Sequence, residues 1–202
     1  IETLGAADAS AILFNHTGDN TANGSGWLKP DDGWLVLDRN GNGTIDDGSE
    51  LFGVNTQKAP GVLATSGFDA LSALDDNSDG VFNSSDSQFA NVRVWRDLNQ
   101  DGVSQTNELA ALTDLNITAI NLAHDQERVD LGNGNARIGS GTFVHADGSV
   151  GHAYNLALQD NPFYRRFTDS IPLTQQAKTL PDMMGSGLVR DLREAASLPT
   201  VE

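Results

Sequence analysis

Asp97-Leu98-Asn99-Gln100-Asp101-Gly102-Val103-Ser104-Gln105-Thr106-Asn107-Glu108 is the stretch on which the reading of this chain turns. Oxygen-bearing side chains stand at its first, third and fifth places (Asp97, Asn99, Asp101), and glycine stands at the sixth. Val103 offers a backbone carbonyl at the seventh place, Gln105 an amide oxygen at the ninth and Glu108 a carboxylate at the twelfth. This is the twelve-position calcium-loop pattern. Calcium is a hard cation that takes six to eight oxygens at ~2.3–2.6 Å. Alternate residues of a tight turn point inward together, and glycine permits the backbone angles that close the turn. A final glutamate can give two oxygens from one side chain.

Two further segments follow the template. Asp75-Asp76-Asn77-Ser78-Asp79-Gly80-Val81-Phe82-Asn83-Ser84-Ser85-Asp86 ends in aspartate, whose shorter side chain implies weaker binding or a closer loop. Its ligand set is Asp75, Asn77, Asp79, the Val81 carbonyl, Asn83 and Asp86. The other begins Asp38-Arg39-Asn40-Gly41-Asn42-Gly43-Thr44-Ile45-Asp46, but Ser49 occupies its twelfth place and Glu50 follows one residue later. Either Asp46 ligates directly or the loop is one residue longer and Glu50 closes it, giving Asp38, Asn40, Asn42, Thr44, Asp46 and Glu50. A degraded fourth candidate, Asn15-His16-Thr17-Gly18-Asp19-Asn20, has one carboxylate and reads as a metal-free turn. Asn, Asp and Gly favour such turns in general, and that is the alternative for all of these segments.

Charge supports the metal reading. The 202 residues carry 12 Lys and Arg against 28 Asp and Glu, a formal charge of −16. From Asp31 to Glu108 there are 14 acids and four bases, a net of −10, and 11 of those acids lie in the three loops. About three calcium ions offset most of that local excess. A net negative chain lacks the basic face that nucleic-acid binding needs, so no nucleic-acid partner is expected. No stretch reaches the ~18–20 apolar residues of a membrane helix, and Ile1 to Ser10 show no signal-peptide pattern. The absence of cysteine excludes disulfides, thiolate zinc sites and thiol catalysis.

The expected fold class is α+β: EF-hand-like calcium loops with short helices, plus antiparallel β-hairpins. Gly67 to Leu74 has helical apolar spacing, Ser84 to Ala90 could open another helix, and Glu108 to Leu112 a helix leaving the third loop. Val92 to Arg96 and Asn116 to Leu122 read as strands. Beyond Glu127 two hairpins are expected, turning at Gly132-Asn133-Gly134-Asn135 and at Ala146-Asp147-Gly148. Residues 1–160 form the calcium-binding module. Residues 161–202 form an extension or linker with an amphipathic helix over Ser186 to Leu198.

Enzyme motifs are scarce. His145 and His152 could face each other across the second hairpin, but two histidines do not make a zinc site. No G-x-S-x-G elbow, phosphate loop or H-E-x-x-H motif occurs. Trp27, Trp34 and Trp95 could line a sugar or peptide site, though core or rim packing is the commoner role.

Several stretches together resemble one family. They are Ile1-Glu2-Thr3, Gly26-Trp27, Asp31 to Gly43, Gly48 to Gly53, Val92 to Gly102, Asn116 to Leu122 and Leu131 to Asn135. The family is the calcium-dependent self-processing module of FrpC-type RTX proteins of Gram-negative bacteria. The resemblance covers about residues 1–160. It implies a module that folds on calcium, belongs to a larger secreted or cell-surface protein with flanking domains, and drives autocatalytic cleavage of an Asp-Pro bond just upstream, with Asp-Lys ligation. Here the prolines follow Lys29, Ala59, Asn161, Ile171, Leu180 and Leu198. The chain as given therefore holds no scissile Asp-Pro, and no catalytic residue is assigned. The RTX nonapeptide repeats are also absent. The alternatives are a non-catalytic spacer or adhesion module rigidified by calcium, and a carbohydrate- or peptide-binding domain.

Overall fold

A computed structural model describes residues 1–6, 11–185 and 187–199. Within these the chain is mostly antiparallel β, with two short α-helices, Gly67–Ser72 and Leu192–Ala195. The expected α+β fold with EF-hand-like helix–loop–helix units is thereby corrected. The segments flanking two of the loops carry Trp34, Val36, Val94 and Trp95, and they satisfy their backbone groups by pairing with one another. Trp34–Val36 and Arg93–Trp95 are antiparallel (Trp34 opposite Trp95, Val36 opposite Arg93), and Leu109–Ala111 pairs on the far side of Arg93–Trp95. Leu109 to Leu112 is therefore not the helix expected after Glu108, and Ser84 to Ala90 forms turns that bury Phe89. Gly67–Ser72 is helical as its spacing predicts, capped by the Ser66 hydroxyl accepting from Asp69 N–H.

The largest sheet is built on the eleven-residue strand Asn135–His145. It pairs with Val129–Gly132, Val150–Ala157 and Ile117–Asn121, and the last of these pairs with Val81–Asn83. Both expected hairpins are present. Asn133 and Gly134 take left-handed angles in the first turn (φ 54° and 78°), and Gly148 does so in the second (φ 83°). His152 lies opposite Thr142 and His145 opposite Ile117, so the two histidines do not face each other.

Two apolar cores result. One joins Leu37, Leu71, Phe82, Phe89, Val92, Leu112, Ile117 and Ile120 between the large sheet and the short helix. The other joins Ile12, Phe14, Trp27, Val36, Ile45, Leu51 and Trp95. Its rings meet at tilted or edge-on angles, Trp27 lying 5.5 Å from Trp95, 5.3 Å from Phe14 and 5.2 Å from Trp34. Each fully buried aromatic or large aliphatic side chain contributes about 1.5–3 kcal/mol.

The N-terminal segment is stitched to residues 159–167. Asp160–Phe167 pairs with Thr21–Ser25, which pairs with Ile12–Phe14. Ala6 N–H donates to Gln159 Oε1 at 3.0 Å, Asn161 Nδ2 donates to the Ala6 carbonyl at 2.7 Å, and Asn135 Nδ2 donates to the Leu4 carbonyl at 2.8 Å. Arg165 and Arg190 flank the Phe167 ring at 4.5 and 4.1 Å, which ties the later segment to this strand. The helix expected over Ser186 to Leu198 shrinks to Leu192–Ala195, since Leu188 and Val189 are exposed and have no apolar face to cover. Its expected cap, Ser186, lies outside the described residues.

His16 sits beside the aromatic core, 4.9 Å from the Phe14 ring, with Nε2 2.8 Å from Ser25 Oγ. Burial disfavours its charged form and lowers its pKa to about 4. The folded value lies below the ordinary one, so the neutral ring's contribution is whole above pH ~6.5 and is lost as pH falls towards 4. An imidazole resonance titration of the folded protein is expected to place His16 near pH 4, and His16→Gln to flatten part of the loss of stability over that interval. A midpoint near 6.5 would show the ring to be solvated.

Candidate metal centre

The three segments adopt one backbone design. In each, the fourth and sixth residues are left-handed: Gly41 and Gly43 (φ 73° and 86°), Ser78 and Gly80 (57° and 82°), Gln100 and Gly102 (59° and 70°). The first carboxylate of each loop accepts the amide of that sixth glycine at 2.9 Å: Gly43 to Asp38, Gly80 to Asp75, Gly102 to Asp97. The third side chain accepts the amide of the fifth residue: Asn42 to Asn40 at 3.0 Å, Asp79 to Asn77 at 3.0 Å, Asp101 to Asn99 at 3.2 Å. The fifth accepts the amide of the seventh: Thr44 to Asn42, Val81 to Asp79, Val103 to Asp101, all at 2.8–2.9 Å. The side chains at places 1, 3 and 5 are thus turned to the concave side of each loop by the loop's own backbone.

The closing residue shows the same repetition. Glu108 Oε1 accepts Leu98 N–H at 2.8 Å and Oε2 accepts Gln105 N–H at 3.2 Å. Asp86 takes the corresponding amides of Asp76 and Asn83 at 2.9 and 2.8 Å, so the shorter side chain still spans the loop. In the first loop it is Glu50, accepting from Arg39 at 3.0 Å and from Asp46 at 2.8 Å, that occupies this role. The loop is therefore one residue longer, and Ser49 enters it through its backbone, receiving Arg39 Nε at its carbonyl. Asp46 is drawn in beside Glu50: its carboxylate accepts Asn42 Nδ2 at 2.6 Å and Asn40 Nδ2 at 3.0 Å. Desolvation raises the Asp46 pKa, but these amides and the Thr44 hydroxyl outweigh it and hold the group below the ordinary carboxylate range. Gln105 reaches back in the same way to Asp101 at 3.1 Å, and Asn83 Nδ2 to the Val81 carbonyl at 3.3 Å.

The fourth candidate does not share the design. Asn15 is buried and spends its amide on the Asp19 carbonyl and its oxygen on Gly18 N–H, while Asp19 accepts Thr21 N–H. It is an Asx turn.

Burial is the unusual feature. Asp97, Glu108, Glu50 and Asp86 are each 3–4% exposed. None of the eleven loop acids is ion-paired with Lys, Arg or His among the described residues. Buried carboxylates normally need a counter-charge as well as hydrogen bonds. The third loop obtains neutral donors from the aromatic core: Trp27 Nε1 donates to Asp97 Oδ2 at 2.8 Å and Trp95 Nε1 to Glu108 Oε2 at 3.3 Å. Both indoles are fully buried, so two of the three tryptophans cannot line a binding surface. Spacing does not announce this role, although Trp95 stands two residues before Asp97.

Carboxylate, amide and carbonyl oxygens with no sulfur or imidazole fit a hard divalent cation such as calcium. Among the described residues no three His, Cys, Asp or Glu side chains converge as a ready ligand cluster. The pattern relies instead on single carboxylates interleaved with Asn side chains and with the carbonyls of Thr44, Val81 and Val103. Because Glu50 and not Ser49 closes the first loop, Glu50→Ala leaves the amides of Arg39, Asn40 and Asp46 without acceptors. It is expected to lower stability by about 2–4 kcal/mol in urea denaturation, against within about 0.5 for Ser49→Ala. Equal effects would place the closure at Ser49.

Residues 1–159 match the family model of the SPM domain. The iron-regulated protein FrpA of Neisseria meningitidis serogroup C is 43% identical over 198 residues, which make up 98% of this chain and 18% of that protein. In that relative the matching segment is one part of a much longer chain. None of the described helices is long and apolar enough to cross a membrane. With the whole strand-and-loop region of residues 1–159 covered by the match, the chain belongs to the SPM domain family.

Proposed function

We propose that this is a calcium-folded module of a larger secreted or cell-surface RTX-type protein, and that its folding drives cleavage of an Asp-Pro bond upstream of Ile1. The observation that carries the calcium reading is the set of four buried loop carboxylates with no basic partner among the described residues. Asp38, Asn40, Asn42, Thr44, Asp46 and Glu50 would hold one ion. Asp75, Asn77, Asp79, Val81, Asn83 and Asp86 would hold a second, and Asp97, Asn99, Asp101, Val103, Gln105 and Glu108 a third. Calcium, when bound, supplies the positive charge that these oxygens lack.

The chain's own residues connect the third loop to the N-terminal segment. Thr3–Leu4 pairs with Trp27–Leu28. Trp27 donates to Asp97, and the Leu28 carbonyl accepts Gln100 Nε2 at 3.1 Å. Glu2 N–H donates to Asp32 at 2.8 Å, and Lys29 is ion-paired with the Glu2 carboxylate at 2.5 Å. Ordering the third loop therefore fixes the direction in which any preceding residues arrive. Orientation of that kind is what the proposed chemistry requires. An aspartyl side-chain carboxyl group attacks its own main-chain carbonyl carbon, its proton passes to the prolyl nitrogen, and the C–N bond breaks as a cyclic anhydride forms. Water then opens the anhydride to the free acid, or a lysine amine opens it to an isopeptide bond.

The decisive experiment extends the chain with its natural upstream residues, adds millimolar calcium and resolves the products on a denaturing gel. Two fragments or a ligated ladder are expected, with neither in chelator. An intact band from a chain that has folded on calcium would assign it to the spacer class. Folding should require calcium in the ~10⁻⁴–10⁻³ M range of extracellular modules. Asp97→Asn or Glu108→Gln should raise the calcium needed, read by far-ultraviolet circular dichroism, and an unchanged midpoint would remove the third loop from the ligand set.

A further inference from the structure

The three loops are not equivalent in what they touch. Ile45 and Ser104 occupy the eighth places of the first and third loops, and Ile45 N–H donates to Ser104 Oγ at 2.7 Å. Both are buried, 4% and 5% exposed, so the amide has no solvent to turn to. The strands that feed the two loops, Trp34–Val36 and Arg93–Trp95, are paired along their length. Ile45 packs in the same core as Trp27, Val36 and Trp95. The second loop stands apart. Its eighth residue, Phe82, belongs to Val81–Asn83 in the large sheet and packs in the other core.

We infer that the first and third loops load as a coupled pair through the Ile45–Ser104 hydrogen bond, with Ser104 as the positioning residue, while the second loop loads separately; this rests on the calcium reading above. The physical reason is shared ordering. Fixing one loop fixes its eighth residue, and with it the hydrogen bond, the strand pair and the core ring packing that the other loop also needs. The second loading event then meets less conformational entropy to remove. Such coupling is reciprocal. A serine hydroxyl at this place supplies an acceptor that alanine lacks, and threonine retains it.

Calcium titration of the full chain, followed through the amide resonances of Gly43, Gly80 and Gly102, reads each loop separately. Because folding itself links all three, the informative quantity is an excess. Asp38→Asn is expected to raise the Gly102 midpoint at least about fivefold more than Asp75→Asn does, the lower end of ordinary coupling. In a Ser104→Ala background that excess should vanish, and Ser104→Thr should restore it. Equal effects of Asp38→Asn and Asp75→Asn on Gly102 overturn the coupling and leave calcium binding intact. If none of the three glycines moves with calcium, the calcium reading itself falls. Should Ser104→Ala fail to fold, the comparison of Asp38→Asn with Asp75→Asn in the parent chain still decides the pairing.

Discussion

Two indole N–H groups reaching out of an aromatic core to two buried carboxylates are the constraint around which this molecule is arranged. Trp27 and Trp95 pack edge-on against each other, and their nitrogens hold Asp97 and Glu108, the first and last places of one loop. A tryptophan in a core usually finds a carbonyl for its N–H. Here it finds a charge, and the core cannot close without placing that charge in a dry setting. Apolar packing and the electrostatics of the loop therefore form one problem with one solution.

The first and third loops are hairpin connections. The first leaves Trp34–Val36 and returns through Leu51 opposite Val36. The third leaves Arg93–Trp95 and returns along Leu109–Ala111. In a helix–loop–helix unit the flanking segments satisfy their own backbones whether or not the loop is ordered. In a hairpin the flanking backbone groups are satisfied only across the strands, so a disordered loop weakens the pairing on both sides of it.

The backbone design of the loops was legible in the sequence because the alternation of side chains in a tight turn and the glycine requirement are local properties. Gly43, Gly80 and Gly102 each stand at a left-handed place, and the first side chain of each loop turns inward onto that glycine's amide. The closure of the first loop was ambiguous because Ser49 and Glu50 are adjacent, and only the partners of Arg39 and Asp46 distinguish them. The flanking elements were misjudged where a short segment such as Leu109 to Leu112 carries no period of its own. Its strand identity comes from Trp95, fourteen residues before Leu109, across the sheet. The strands Ile12–Phe14, Thr21–Ser25 and Asp160–Phe167 were invisible for the same reason: their partners are remote, and Thr21–Ser25 reads TANGS, which suggests a turn. The tail gave the opposite error, since a helical stripe over Leu188 and Val189 has nothing to pack against.

The stitching of Ala6 to Gln159 and Asn161 has a mechanical consequence. Ala6 and Asn161 are held side by side, so the stretch of chain between them, which carries all three loops, is closed at its base. A pull on the flanking chain would have to peel Thr3–Leu4 from Trp27–Leu28 and Asp160–Phe167 from Thr21–Ser25 before it reached the loop hairpins, so those short strands act as shear pins for the module.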